Sequence, residues 1–204
     1  MITSLILNGC ATVPTAVQTH YTLTPLAQPP ATAQEQSTLR YNMSLRVGSV
    51  AAPAWLNSRD IYYQLLYQDK ETISVYSQAQ WIAAPPLLIG RLLENNLSAA
   101  HLWKAVIGPD SNALADLSLQ VYLVEFQQNF SSPKNSYGVL RARVTLVDNN
   151  NNEVIAQTDF DLQVPSPQGD AAGGVTALNR ATNELLTLVN RWLVQVMDQY
   201  KAAG

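Results

Sequence analysis

The stretch Tyr137–Val164, YGVLRARVTLVDNNNNEVIAQTDFDLQV, decides how this chain folds. Leu140, Ala142, Val144 and Leu146 alternate with polar neighbours on one side of the DNNNNE tip, and Val154, Ala156, Thr158, Phe160 and Leu162 alternate on the other. A period of two over such lengths marks half-buried strands, and a short polar tip between two of them predicts an antiparallel hairpin. The tip places Asp148, Asn150, Asn152 and Asp159 at positions 1, 3, 5 and 12 of a calcium loop. Glu153 stands where that loop requires glycine, Asp159 replaces the bidentate Glu, and the flanks are strand-like. An asparagine-rich turn, in which Asn tolerates a left-handed backbone, is the better reading.

Outward from the hairpin, DLSLQVYLVEFQQNF sets Leu117, Leu119, Val121 and Leu123 against Ser118, Gln120 and Tyr122, a further half-buried strand. YNMSLRVGSVAAP gives a first central strand through Met43, Leu45 and Val47. DIYYQLLY and ETISVYS predict a hairpin over Asp60–Ser77, and HLWKAVIG predicts a strand that ends before Pro109. Pro85 and Pro86 open a helix carrying Leu88, Leu92, Leu93 and Leu97, with a weak point at Gly90. After the PSPQGDAAGG loop, Val175, Leu178, Leu185, Val189, Trp192 and Val196 form one stripe of a long amphipathic helix. The expected fold class is therefore α+β: two layers, a mostly antiparallel sheet with two helices packed on one face.

Composition narrows function. With 204 residues, 47% of them apolar, the chain can build a proper core. Only 13% are charged, and the net charge of −3 comes without any basic block, which argues against nucleic acid as a partner. Neither histidine, His20 nor His101, has a second ligand at metal spacing. Walker, G-x-G-x-x-G and G-x-S-x-G signatures are missing, so no catalytic residue, metal or cofactor is expected.

The chain opens MITSLILNGCAT, with the only cysteine at Cys10. A lone cysteine is usually a small buried hydrophobe. Cys10 instead stands between a short apolar run and a Thr/Pro/Gln-rich stretch with nothing to pack against, with Leu7 and Gly9 three and one positions before it. That is the arrangement of a cysteine that receives acyl chains, each buried methylene contributing about 0.8 kcal/mol to bilayer binding. The expected organisation is a truncated lipoprotein signal at 1–10, a flexible tether with a short edge strand in HYTLTP at 11–39, and one α+β domain at 40–204.

LNGC, HYTLTP, LRVGSVAAPAWLNSRDIYYQ, YSQAQWIAAPPLLIGRLLENNL and the late amphipathic helix, in this order, resemble the ABC-type transport auxiliary lipoprotein family. The resemblance implies a non-catalytic lipoprotein, anchored through Cys10 on the periplasmic face of the outer membrane. It implies docking to an MCE-domain protein of a lipid transport system, with a homo-oligomeric ring as a plausible form. Ala11 after the cysteine fits outer-membrane sorting within that family. Trp55, Trp81 and Trp103, at strand ends or loops, are the candidate partner-binding aromatics, since tryptophan is enriched in interface hot spots, although for any single one of them capping the core is the better reading because tryptophan is highly buried on average; Trp192 reads as core. The alternative is a periplasmic carrier that holds a lipid or other apolar ligand between sheet and helices. A carrier needs an apolar cavity there, whereas a docking protein needs a filled core and exposed apolar patches.

Overall fold

In a computed structural model, which describes residues 17–25 and 39–203, the chain forms one eight-stranded open sheet and two helices. In chain order the elements are β1 (Thr19–Tyr21), β2 (Tyr41–Val47), a 3-10 turn (Ala54–Asn57), β3 (Asp60–Leu65), β4 (Ile73–Trp81) and α1 (Pro85–Ala99). They continue with β5 (Trp103–Ile107), β6 (Leu117–Ser132), β7 (Asn135–Asp148), β8 (Glu153–Pro165) and α2 (Ala171–Ala203). Every strand and helix expected from the sequence is present, although the short edge strand expected in HYTLTP lies at Thr19–Tyr21 and overlaps that stretch only at His20 and Tyr21. Cys10 and most of the tether lie outside the described residues.

The expectation of a mostly antiparallel sheet holds only for its longest ladders. β6–β7, β7–β8 and β3–β4 pair antiparallel, but β1–β4, β2–β5, β2–β6 and β3–β6 pair parallel, so the sheet is mixed. The cause is β6, which at 16 residues is long enough to serve two partners on one edge. β7 occupies the other edge, from Leu117↔Asp148 to Ser132↔Asn135. On the shared edge β2 pairs with Leu117–Leu119 and β3 with Gln128–Phe130, while Ala51 bridges Tyr122 between them. The sheet therefore forks into a β2–β5 arm and a β3–β4–β1 arm. Parallel pairing at this fork depends on contacts distant in sequence, which periodicity does not report.

Two irregularities reset the alternation. Leu123 faces Ala142 and Glu125 faces Arg141, so Val124 is an extra residue in β6. The inward row Leu117, Leu119, Val121, Leu123 thereby continues as Phe126, Gln128 and Phe130. In β8 a register shift after Leu146↔Ala156 leaves Val154 on the other phase, 60% exposed, where simple alternation had placed it inside.

α2 begins four residues before the expected start. Asp170 caps it, Oδ1 accepting from the Gly173 N–H at 2.7 Å, and Gly173 and Gly174 lie within the first turns. Two helical glycines are locally unfavourable by about 1 kcal/mol each. The tertiary fit explains Gly174: a Cβ there would sit 2.2 Å from the carbonyl oxygen of Gln128, a fully buried side chain. That amide accepts from the Tyr76 hydroxyl at 2.8 Å and donates to the Ser136 hydroxyl at 2.9 Å. Farther on, Gly138 of β7 lets the helix approach: an added Cβ would lie 2.9 Å from the Leu178 nitrogen. Ala177, Leu178, Ala181, Leu185 and Val189 are buried along this line. α1 meets α2 through an amide pair, Asn190 Nδ2 donating to Asn96 Oδ1.

Replacing Gly138 with valine should lift α2 off β7. The expected outcome is a loss of about 1–3 kcal/mol in unfolding free energy, the usual range for overpacking, measured by denaturant titration with circular dichroism.

Candidate functional site

β2 turns Leu45 and Val47 inward and buries them fully, which directs Ser44 and Arg46 to the opposite face. β5, β2 and β6 run parallel, so the link from Ile107 to Leu117 must travel back past β2. Those two side chains catch it. Arg46 donates through Nη1 to the carbonyls of Gly108 (3.3 Å) and Ser111 (2.9 Å) and through Nη2 to that of Ala113. The Ser44 N–H and hydroxyl both donate to Asp116 Oδ2 at 2.7 Å, and the Ser44 oxygen accepts from the Asp116 N–H at 3.0 Å.

The tip of the β7–β8 hairpin clamps the far end of the link. Asn149 donates from Nδ2 to the Ala115 carbonyl (2.8 Å) and from its backbone N–H to the Asp116 carbonyl (2.9 Å). Asp148 holds the tip itself: Oδ1 accepts from the N–H and side-chain amide of Asn150 at 2.8 and 2.9 Å, and Oδ2 accepts from the Tyr200 hydroxyl of α2 at 2.7 Å. Asn152 takes the left-handed backbone, φ 59°, that the asparagine run anticipates. The result is a braced loop, and at its crest Leu114 is 96% exposed. The hydrogen bonds fix the loop's backbone, while the Leu114 side chain itself gains nothing from burial in the fold.

Beside the loop lies a cleft of about 470 Å³ between α1 and the turn after β2. Gly48 and Gly90 line it along with Arg91, Glu94, Pro109 and Asp110. Gly90, the weak point of the helix in sequence terms, faces Val50, which an added Cβ would touch at 3.4 Å, an ordinary van der Waals contact. Leu87, 53% exposed, adds to the lining, and Ile82, 60% exposed, precedes the helix. Among the described residues no group of three His, Cys, Asp or Glu side chains could hold a metal ion, and no helix is long and apolar enough to cross a membrane.

The tryptophans are arranged differently from expectation. Trp81 and Trp103, taken as surface anchors, are 1% and 6% exposed: Trp81 packs on Phe126 and Trp103 stacks on Tyr41. Strand ends can be buried when another element crosses them, and this corrects their assignment as surface aromatics. Trp55 is half-buried, edge-on to Tyr62 at 5.0 Å. Trp192 is likewise half-buried against the core. Leu114 and Arg46 were not singled out by sequence. PDSNALAD reads as an ordinary polar connection, and its lone leucine was the available signal.

Residues 21–189 match the family described as the ABC-type transport auxiliary lipoprotein component. The chain belongs to this family. Its members are auxiliary components of ABC-type transport, and as lipoproteins they are held at a membrane of the cell envelope. The fold is shared with a crystal structure of a Xanthomonas campestris protein of a family of unknown function, at 18% identity and TM-score 0.75, covering 90% of this chain and 99% of that one. An uncharacterised protein matches at 16% identity and TM-score 0.66, covering 87% and 99%. No curated protein matches the chain.

The two aspartates of the brace titrate together with folding. Donation from the Ser44 backbone and hydroxyl lowers the Asp116 pKa, and donation from the Asn150 backbone and the Tyr200 hydroxyl lowers that of Asp148. A depressed folded-state pKa adds stability that is complete above the unfolded carboxylate value of about 4 and is lost as pH falls through the folded value. The wild type should therefore lose stability more steeply between about pH 5 and pH 3 than Asp148→Asn, measured as urea midpoints at a series of pH values.

Proposed function

We propose that this lipoprotein is a docking component: Cys10 carries acyl chains that hold it to the outer membrane, and the domain faces the periplasm. The braced loop carrying Leu114 engages an MCE-domain protein of an ABC-linked lipid transport system. The observation that carries the reading is the contrast at residues 108–116, where Arg46, Ser44 and Asn149 spend many hydrogen bonds on holding in place a loop whose leucine touches almost nothing. An exposed apolar group on a rigid support is what an interface hot spot requires. Ile82, Leu87 and half-buried Trp55 extend the apolar surface on the neighbouring elements.

The carrier alternative would place its ligand between sheet and helices. That space holds Leu119, Leu123, Leu140, Ala142, Leu178, Ala181 and Leu185, each 2% exposed or less. The contact of α1 with α2 through Asn96 and Asn190 supports a two-layer packing with both helices on the same face as this core. The role read here is binding, with no chemical step.

Two variants separate anchoring from docking. Cys10→Ser should move the protein from the membrane pellet to the soluble fraction. Leu114→Asp should stay membrane-bound and fold with an unchanged melting temperature, but should fail to co-purify the MCE partner from detergent-solubilised envelopes. Retained co-purification by Leu114→Asp would overturn the docking assignment.

A further inference from the structure

The register of the sheet gives the domain two ends, and β1 runs away from one of them toward the other. β1 pairs parallel with β4, Thr19 opposite Ala79 and Tyr21 opposite Trp81. Moving back from Thr19 to Val17 therefore moves back along β4 toward Ile73 and the 66–72 turn that joins it to β3. Val17 stands level with about Ser77, so Ile73 is roughly 13 Å farther in that direction. β3 pairs parallel with the C-terminal part of β6, which puts the 131–134 turn at the same end. The loop bearing Leu114, the 149–152 tip and the C-terminal turns of α2 gather at the opposite end, tied by Asn149 and by Tyr200 to Asp148.

Only residues 11–16 separate Cys10 from Val17. Even fully extended they reach about 25 Å. A chain acylated at Cys10 thus keeps the Val17 end of the domain close to the bilayer surface.

Among the described residues that end carries exposed apolar surface. Val17 is 86% exposed, and Ile73, Val75 and Tyr67 are 44%, 47% and 40% exposed. Ile73 and Val75 share one face of β4, and β1 pairs with Ala79–Trp81, so among the described residues this length of β4 has no strand on its outer edge. The turn is firmly built. The Asp69 carboxylate is directed into it, Oδ1 accepting from the Glu71 N–H at 2.8 Å and Oδ2 from the Thr72 hydroxyl, and Gln64 donates to the Lys70 carbonyl at 2.5 Å. A rigid hairpin end with a tyrosine at its turn and two aliphatic side chains behind it suits the interfacial zone of a bilayer, where tyrosine is enriched.

We propose that the β3–β4 hairpin end, through Tyr67, Ile73 and Val75, rests on the bilayer that holds the acyl chains. It thereby orients the domain with the Leu114 loop pointing away from the membrane. This inference rests on the acylation of Cys10. A few half-exposed side chains cannot anchor a protein alone, but added to acyl chains they select one orientation among those that a short tether permits.

The test uses the acylated full chain reconstituted into phosphatidylethanolamine/phosphatidylglycerol vesicles, with single cysteines Ile73→Cys, Val75→Cys or Leu114→Cys. Each bears an environment-sensitive fluorophore, since the acylated Cys10 does not react. The expected result is a blue shift, with emission lost to a lipid-borne quencher, at positions 73 and 75 and not at 114. Vesicle-bound protein with no quenching at 73 or 75 overturns the proposal, as does quenching at 114. A response at 73 produced by a second copy in detergent, without lipid, overturns it in favour of self-association. Mass spectrometry of Cys10 in the same samples separates these results from a failure of anchoring, because an unmodified thiol on protein that does not float with vesicles overturns the acylation reading itself.

Discussion

β6 is the strand on which the other elements depend. Its length allows it to pair with β7 along one edge and with β2 and then β3 along the other, so a single strand joins the long antiparallel hairpin to both arms of the fork. Because β2 and β3 follow one another on that edge, the residues between them stay close to it. Gly48 and Ala51 hydrogen-bond to Leu119 and Val121, and the Ala54–Asn57 turn is the small excursion that makes up the spacing. The extra residue at Val124 keeps the inward row in phase over the whole strand, so that Phe126 and Phe130 reach the core beyond the bulge.

The braced loop proposed for docking is a by-product of the same pairing. Parallel β5, β2 and β6 require a connection that returns across β2, and a returning connection lies over a strand's outward side chains. Ser44 and Arg46 happen to be those side chains, and they convert a plain link into a fixed one. Arg46 suits the task because a guanidinium offers several donors in one plane, enough to serve the carbonyls of Gly108, Ser111 and Ala113 from a single residue. The hairpin tip adds its clamp from the other side through Asn149, and Tyr200 ties the tip to the end of α2. Sheet, hairpin and helix therefore converge on one loop, and strand direction sets that loop at the end of the sheet opposite the β3–β4 turn.

Glycine illustrates how local preference yields to packing. Gly138 and Gly174 each look like a weakness when a strand or helix is read by itself, yet α2 and Gln128 respectively occupy the space a side chain would need. The buried amide of Gln128 is tolerable because Tyr76 and Ser136 satisfy it. The Asp170 cap starts the helix at Ala171 through residues that composition assigns to a loop.

The sequence by itself determined the elements and their inward faces: alternation in Leu140–Leu146 and Ala156–Leu162, the apolar stripe of α2, the helix opening at Pro85, and the family membership over residues 21–189, because these are periodic or local signals written in neighbouring residues. Only the tertiary structure decided that β2 and β3 pair parallel with one edge of β6, that Trp81 and Trp103 are buried, that Val154 faces out and that Leu114 stands exposed on a braced loop. Each of those depends on which distant segment lies alongside. Strand pairing and burial are set by contacts between residues far apart in the chain, and a bulge of one residue reverses every face that follows it.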